Sequence, residues 1–429
     1  MTAFLRISAA RASFAALLFV VGGATARAQS SPDGLWTGSA QVNGQAVPFT
    51  LQITGSGDAV EGALVNGRQK SPSSSGSFSG GHLILHYDEF ANTLDATLQD
   101  GTLTGAFGRT GHTVTLTAQK SAAPVSDSAN PPHIAGVWQI AVDGPKGEHS
   151  WTLRVHQSGA KVDAVIQRID GDTGNLYGAW RDGQFAVSHF TAAGPSYAVL
   201  RPQPDGTLQV FTFTHSNGLQ PLPAHRLPAE RDASLAIADD PLHHTTLANP
   251  AQPLAFRFPD LSGKLVASTD PEFRHKAVIV SIGGSWCPNC QDEAPFLESL
   301  YQRYHDRGLE IVEVSFEESA QLANPARLRT VISKFGITYP VLVAGTPDQL
   351  DEKFPEVEGL NCWPTTFFIG RDGLVKSIHT GYSGPATGKD NAALERETTA
   401  LVQRLLAGDE HSDLAPAKNA TEVARRSQQ

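Results

Sequence analysis

Ser285-Trp286-Cys287-Pro288-Asn289-Cys290-Gln291-Asp292-Glu293-Ala294-Pro295 follows Ala277-Val278-Ile279-Val280-Ser281-Ile282, a β-branched run of the kind that fills a buried strand. The residues after Cys290 read as a helix, so the two cysteines sit at a strand-to-helix junction. There, unpaired backbone N–H groups and the positive end of the helix dipole stabilise a thiolate and lower its pKa below the roughly 8.5 of a free cysteine. Two cysteines separated by two residues on the first helical turn can also close a disulfide on each other, so that one attacks and the other releases. Cys287 is the outer of the pair and takes the attacking role; Cys290, one turn inside, is the resolving thiol. Glu293 stands three positions beyond Cys290 on the same helical face. Buried there, it would titrate high and pass protons to and from the resolving thiol. Half of a zinc site and an inert structural disulfide are the blander alternatives. Zinc needs about four ligands, and neither a second Cys-x-x-Cys nor a His pair accompanies this one. A merely structural bridge has no need of Trp286, Pro288 and a strand-to-helix turn around it.

Downstream, Trp363-Pro364-Thr365-Thr366-Phe367-Phe368-Ile369 is a proline opening an aromatic, β-branched run, Gly370-Arg371-Asp372-Gly373 is a turn, and Leu374-Val375-Lys376-Ser377-Ile378 is a further strand. With these motifs in place the chain resembles the thioredoxin superfamily, most closely its TlpA/ResA-like periplasmic thiol-disulfide oxidoreductases. The resemblance rests on Trp286-Cys287-x-x-Cys290 with Glu293 and Pro295, on Pro364-Thr365-Thr366-Phe367, and on Arg371-Asp372-Gly373, and it covers residues 250–407. It implies catalytic roles for Cys287, Cys290, Glu293 and Pro364, the last a cis-proline facing the cysteines. The backbone of Trp363 would then pair with an incoming substrate strand, with Trp286 and Thr365 also at the substrate-binding surface. Glu293 matches the family's buried acid near the resolving cysteine, and Pro295 its helix kink. Protein disulfides are the implied substrates and a membrane thiol-electron carrier the implied partner; no cofactor or metal is expected.

Two departures stand out. Gly283-Gly284 replace a bulky aromatic and a small residue, which suggests a looser pocket around Cys287. Asn361-Cys362-Trp363 replace small aliphatic residues before the proline. With three cysteines in the chain, one is odd. Cys362 is either a buried, inert thiol behaving as a small hydrophobe, or a neighbour of Cys287 across the groove. In the second case it could form an alternative disulfide or a three-thiolate site suited to Cu(I).

The chain begins with a basic segment (Arg6, Arg11), a short apolar core (Phe14 to Val21) and Ala26-Arg27-Ala28, the pattern of a cleaved secretory signal over residues 1–28. No later run approaches the length that spans a bilayer. A periplasmic or secreted location is expected, where a low-cysteine chain with one Cys-x-x-Cys reads as redox-active rather than disulfide-stapled. A net charge of −10 without basic clusters argues against nucleic acid and anionic membrane as partners.

The 429 residues exceed one domain. Residues 29–120 and 133–228 are rich in Gly, Ser and Thr, with short alternating runs between Asn-Gly, Asp-Gly and Gly-Gly turns, an all-β pattern. They also echo each other at one constant offset. Gly34-x-Trp36 returns as Gly136-x-Trp138, Thr50-Leu51-Gln52-Ile53 as Thr152-Leu153-Arg154-Val155, Val60 as Val162, and Phe78 as Trp180. The fold class expected is therefore multidomain: two all-β antiparallel barrel or sandwich units, with Trp36 and Trp138 as core plugs, followed by an α/β thioredoxin-like domain over 251–407. Residues 121–132 and 229–250 read as linkers, and 408–429 as a polar, disordered tail.

The function expected is a thiol-disulfide oxidoreductase that reduces protein disulfides outside the cytoplasm. The alternatives are a disulfide-forming oxidase, and a binding or metal-chaperone module in which the thioredoxin fold is a redox sensor and the β units recognise partners.

Overall fold

A computed structural model of the chain describes residues 31–121, 130–212, 220–227, 239–409 and 411–414. The expected signal segment, most of the first linker and the end of the tail lie outside the described residues.

Alternating burial builds the first unit. In His82–Tyr87, Leu83, Leu85 and Tyr87 point into the core while His82 and His86 face out, the period-two signature of a sheet with one wet face. Nine antiparallel strands run from Gly34–Val42 to His112–Lys120, with the first strand paired to both the second and the last. The sheet curls into a half-barrel that stays open between its edge strands, Gln69–Pro72 and Ser75–Ser79.

The second unit closes. Ser150–Ser158 pairs with both Gly136–Ala141 and Lys161–Arg168, and Gly136–Ala141 also pairs with Gln220–Arg226, so the sheet meets itself around the barrel. Its opening hairpin has the register of the first unit's: Gly136 faces Val155 and Trp138 faces Leu153, as Gly34 faces Ile53 and Trp36 faces Leu51. Trp36 and Trp138 are both buried, and each indole N–H donates to the carbonyl four residues upstream, Pro32 O at 2.7 Å and Ile134 O at 2.9 Å. A buried indole needs that partner.

The third unit is a five-stranded mixed sheet. Val341–Gly345, Leu309–Phe316 and Ala277–Gly283 run parallel, followed by antiparallel Thr365–Ile369 and Val375–Thr380. Helices Pro288–Tyr304, Ala326–Phe335 and Lys389–Leu406 bury Leu297, Leu300, Leu328, Val331, Val402 and Leu405 in one cluster with Ala277 and Ile279. Val278, Val280 and Ile282 point to the other face, covered by Phe256, Phe258 and Phe354. All seven residues of Ala277–Gly283 are buried, which is why the stretch reads as a continuous apolar run.

Residues 239–250, which read as linker, are built into the fold. Asp239 Oδ2 accepts from His149 N and Ser150 N at 2.8 and 3.0 Å, Thr245 is fully buried, and Thr246–Leu247 pairs with Val357–Glu358. A polar, Pro-bearing composition looks like a connector, but here its polar atoms find tertiary partners. Within the tail, Asp413 N donates to Lys376 O at 2.8 Å. Among the described residues no helix is long and apolar enough to cross a membrane.

Candidate active site

The central strand Ala277–Gly283 ends beneath the N-terminus of helix Pro288–Tyr304, whose N-cap is Cys287. The Cys287 sulfur accepts a hydrogen bond from Cys290 N at 3.1 Å, the capping contact that would stabilise a thiolate there. Cys287 and Cys290 are joined in a disulfide, with Cα atoms 5.3 Å apart. The Trp363–Pro364 peptide is cis, and Cys287 Sγ lies 3.6 Å from Trp363 O. Two stretches far apart in sequence thus meet at the sulfur. Trp286 donates its indole N–H to Phe316 O at 2.9 Å and meets Trp363 edge-on, ring centroids 5.5 Å apart, forming a partly exposed aromatic wall.

Cys287 is only 3% exposed, whereas Cys290 is partly exposed. Two expectations change. Gly283-Gly284 do not leave a loose pocket, because a Cβ at Gly284 would come within 2.5 Å of both Phe316 O and the Trp286 indole nitrogen. The glycine is what lets that indole reach the carbonyl. Thr365, placed at the substrate surface by resemblance, is fully buried, and its hydroxyl donates to Cys362 O at 2.9 Å, tying the turn rather than facing a ligand. Its neighbour Thr366 points to the chemistry instead.

One turn after Cys290 on the same helix, the Glu293 carboxylate accepts from Ser281 Oγ and Thr366 Oγ1 at 2.9 and 2.8 Å. Burial pushes Glu293 up to about 7, partly opposed by those two hydroxyl donors. The ladder aligns Thr366, Ser281 and Glu313 in one row across three strands, so Glu313 shares the face that receives Glu293. Burial first, and then the negative charges of Glu317 and Glu293, together push its carboxyl up to about 8. The signal for Glu313 in the sequence is an acid inside a β-branched buried strand, Leu309–Phe316.

A second buried network holds the loop before Cys287. Ser285 N and Oγ donate to Glu317, at 2.9 and 2.7 Å, and Arg327 donates to Ser285 Oγ, Glu317 and Glu318 at 2.7, 2.8 and 2.7 Å. Arg109 of the first unit forks onto Glu318, with Nη2 at 2.7 Å from Oε1 and Nε at 3.0 Å from Oε2. The two guanidinium groups hold Glu318 well below the usual carboxylate range, at about 2, against the opposing effect of burial.

Cys362 is a free, fully buried cysteine. Its thiol donates to Asn361 Oδ1 at 3.2 Å and lies 3.8 Å from His244 Nε2, and burial pushes it up to about 12. The alternative disulfide with Cys287 is not formed, and among the described residues no group of three or more His, Cys, Asp or Glu could hold a metal. A thiol kept protonated by burial is a poor nucleophile. Native protein at pH 8 is therefore expected to leave Cys362 unalkylated by iodoacetamide, with full labelling only after unfolding; native labelling at the rate of a free thiol would contradict this.

Residues 250–378 match the AhpC/TSA family. The C-terminal region is a thioredoxin-like domain. It is 32% identical over 126 residues to the thiol-disulfide oxidoreductase ResA of Geobacillus thermodenitrificans, covering 29% of this chain and 66% of that protein. It is 27% identical over 126 residues to ResA of Bacillus subtilis, covering 29% of this chain and 64% of that one. The chain thus spans just under two thirds of the length of these relatives. Among solved structures, a thiol:disulfide interchange protein of the thioredoxin family from Chlorobium tepidum is 25% identical and covers 36% of this chain and 98% of its own, with a TM-score of 0.29. The matched relatives lie over the thioredoxin-like domain, which carries both cysteines, the cis-proline and Glu293.

Proposed function

We propose that the protein is a thiol-disulfide oxidoreductase that reduces protein disulfides outside the cytoplasm. The observation that carries the reading is the Cys287–Cys290 disulfide at a helix N-terminus, set against the cis Trp363–Pro364 peptide, with the buried Glu293 carboxyl one turn further along the helix. In the reduced enzyme the Cys287 thiolate attacks one sulfur of a substrate disulfide, forming a mixed disulfide and expelling the first substrate thiolate. Cys290 gives its proton to the Glu293 carboxylate and attacks Cys287 Sγ. The Cys287–Cys290 bond forms, the mixed disulfide breaks, and the second substrate thiolate leaves. Two electrons have moved from enzyme to substrate, and the released thiolates take up two protons. An external dithiol carrier returns the electrons. Support for an extracytoplasmic setting comes from the signal-like residues 1–28 and from the scarcity of cysteines.

The test is Cys290→Ala, which removes the resolving thiol. Extracts incubated with the reduced variant are expected to yield adducts on Cys287 that dithiothreitol releases. A variant that traps nothing, while its Cys287 remains alkylatable, would overturn the reading. Direction is settled by the reduction potential of the pair: values near −270 mV suit a reductant, and values near −120 mV an oxidant.

A further inference from the structure

One side chain, that of the residue just after the cysteines, closes the turn that carries them. Gln291 is buried, and its Nε2 donates twice: to Ser285 O at 2.8 Å, and to Glu89 O of the first β unit at 2.9 Å. Both neighbours are carbonyl oxygens, so only the amide's NH2 fits between them, and each takes one of its hydrogens. The bond to Ser285 O joins the two ends of the arc Ser285–Gln291, which contains Trp286, both cysteines and Asn289. Cys287 N donates to Gly284 O and Gln291 N to Cys287 O, at 3.0 and 3.1 Å. Cys287 Sγ accepts from Cys290 N while the loop before it and the helix after it keep this register.

The bond to Glu89 O reaches a corner that both β units fix. Glu89 lies in the turn Asp88–Phe90, which ends on Ala91 at φ 53°, in the left-handed region. Phe90 is buried in the core of the first unit, and Glu89 Oε1 accepts from Lys334 Nζ at 3.3 Å. Just beyond the turn, Asn92 Nδ2 donates to Ala192 O of the second unit at 2.8 Å, and Arg109 Nη1 donates to Asn92 Oδ1 at 3.5 Å. The corner thus presents a carbonyl to the helix that carries Cys290.

We propose that Gln291 is a positioning residue through which the first β unit holds the Cys287 thiolate in its reactive setting. This rests on the oxidoreductase reading and gives the β units a part in it. Glu89 O takes one amide hydrogen and so orients the other on Ser285 O. With the arc closed, Cys287 Sγ stays at the N-cap, where the Cys290 N–H and the helix terminus favour its charged form. With the arc open, the loop relaxes, the N–H contact is lost for part of the time, and the thiol keeps its proton to higher pH.

Full-length, reduced Cys290→Ala keeps the backbone N–H of position 290 and is the parent for the test. The rate of Cys287 alkylation by iodoacetamide is followed against pH, and its midpoint reports the thiolate. Adding Gln291→Met removes both donors with a side chain of similar length. The midpoint is expected to rise by about one pH unit, so that at pH 7 the rate, relative to its own plateau at high pH, falls about tenfold. Adding Asn92→Ala instead loosens the corner without altering the thioredoxin-like domain, and should raise the midpoint by less. The charges around the turn, from Asp292 and Glu293 on the helix to Glu317 and Arg327 at the loop and Lys334 and Glu89 at the corner, are the same in both variants. A role confined to stability would change unfolding and leave both midpoints alone. Folding is checked by near-ultraviolet circular dichroism. A folded Gln291→Met protein with the parent's midpoint would overturn the positioning role, and an unshifted midpoint in folded Asn92→Ala would overturn the link to the first unit. Either result leaves the oxidoreductase reading standing. That reading falls instead if the parent traps no substrate on Cys287 while the thiol remains alkylatable.

Discussion

Arg327→Ala is expected to destabilise the thioredoxin-like domain by about 3–5 kcal/mol, the usual cost of removing one partner from a buried ion pair. Arg327 is 1% exposed, and its three donors satisfy Glu317, Glu318 and Ser285. Removing the guanidinium leaves Glu317, itself fully buried, with its negative charge uncompensated beside Glu313. It also removes the donor to Ser285 Oγ, so that of this network only the bonds of Ser285 to Glu317 still hold the loop that presents Cys287. Arg327→Lys should recover only part of the loss, since an ammonium cannot reproduce a fork that meets three acceptors at once. The readout is denaturant unfolding followed by fluorescence of Trp286 and Trp363, which report on this domain. A midpoint within error of wild type would mean that the network holds nothing. Because Arg109 reaches the same cluster through Glu318, a milder version of the same loss is expected for Arg109→Ala, where the pair is partly solvated.

What is legible in the sequence is whatever rests on local chemistry. Ala277–Ile282 announces a buried strand because both its faces are covered, and Cys287-Pro288 announces a helix start because a capping sulfur and a proline suit the first turn. The alternating runs between glycine turns announce β units for the same kind of reason. What cannot be read depends on register and distance. Whether Thr365 or Thr366 meets the carboxyl is decided by which of them lies opposite Ser281 on the neighbouring strand, and the ladder selects Thr366. Asn289 looks like a spacer between cysteines because its partners, Asp170 and Asp172, belong to another unit. Arg327 looks like a surface residue of an amphipathic helix, and only the fold supplies Glu317 and Ser285 to bury it. Closure of the second barrel against the open first is likewise invisible. It turns on Gly136–Ala141 meeting Gln220–Arg226 and on Lys161–Ala164 meeting Leu176–Ala179, pairings between strands that similar alternating patterns do not distinguish.

Glu293→Gln separates stability from chemistry. The wild-type carboxyl is raised from an ordinary 4.5 to about 7, chiefly by burial. A raised acid binds its proton more tightly in the folded state. Its contribution to stability is therefore fully present below pH 4.5 and is lost as the pH rises through 7. Glutamine has the shape of the protonated acid at every pH, and Ser281 and Thr366 hydroxyls can donate to its carbonyl and rotate to accept from its amide. The variant should match wild type near pH 4 and exceed it by about 3 kcal/mol above pH 7.5, because each tenfold tightening of proton binding is worth about 1.4 kcal/mol. The same substitution removes the group proposed to take the proton from Cys290. Resolution of a preformed Cys287 mixed disulfide at pH 7 should slow about 100-fold, within the range of lost general-base catalysis. Its rate should then rise tenfold with each step of one in pH as hydroxide replaces the missing base. Attack by Cys287 on a small aromatic disulfide should change far less, since the thiolate there is held by the Cys290 N–H and the helix terminus. A more stable but slower enzyme at pH 8 is the outcome that follows if this proton-holding carboxyl, one turn beyond Cys290, serves the resolving step. Equal stability together with an unchanged resolution rate would make Glu293 a packing residue and nothing more.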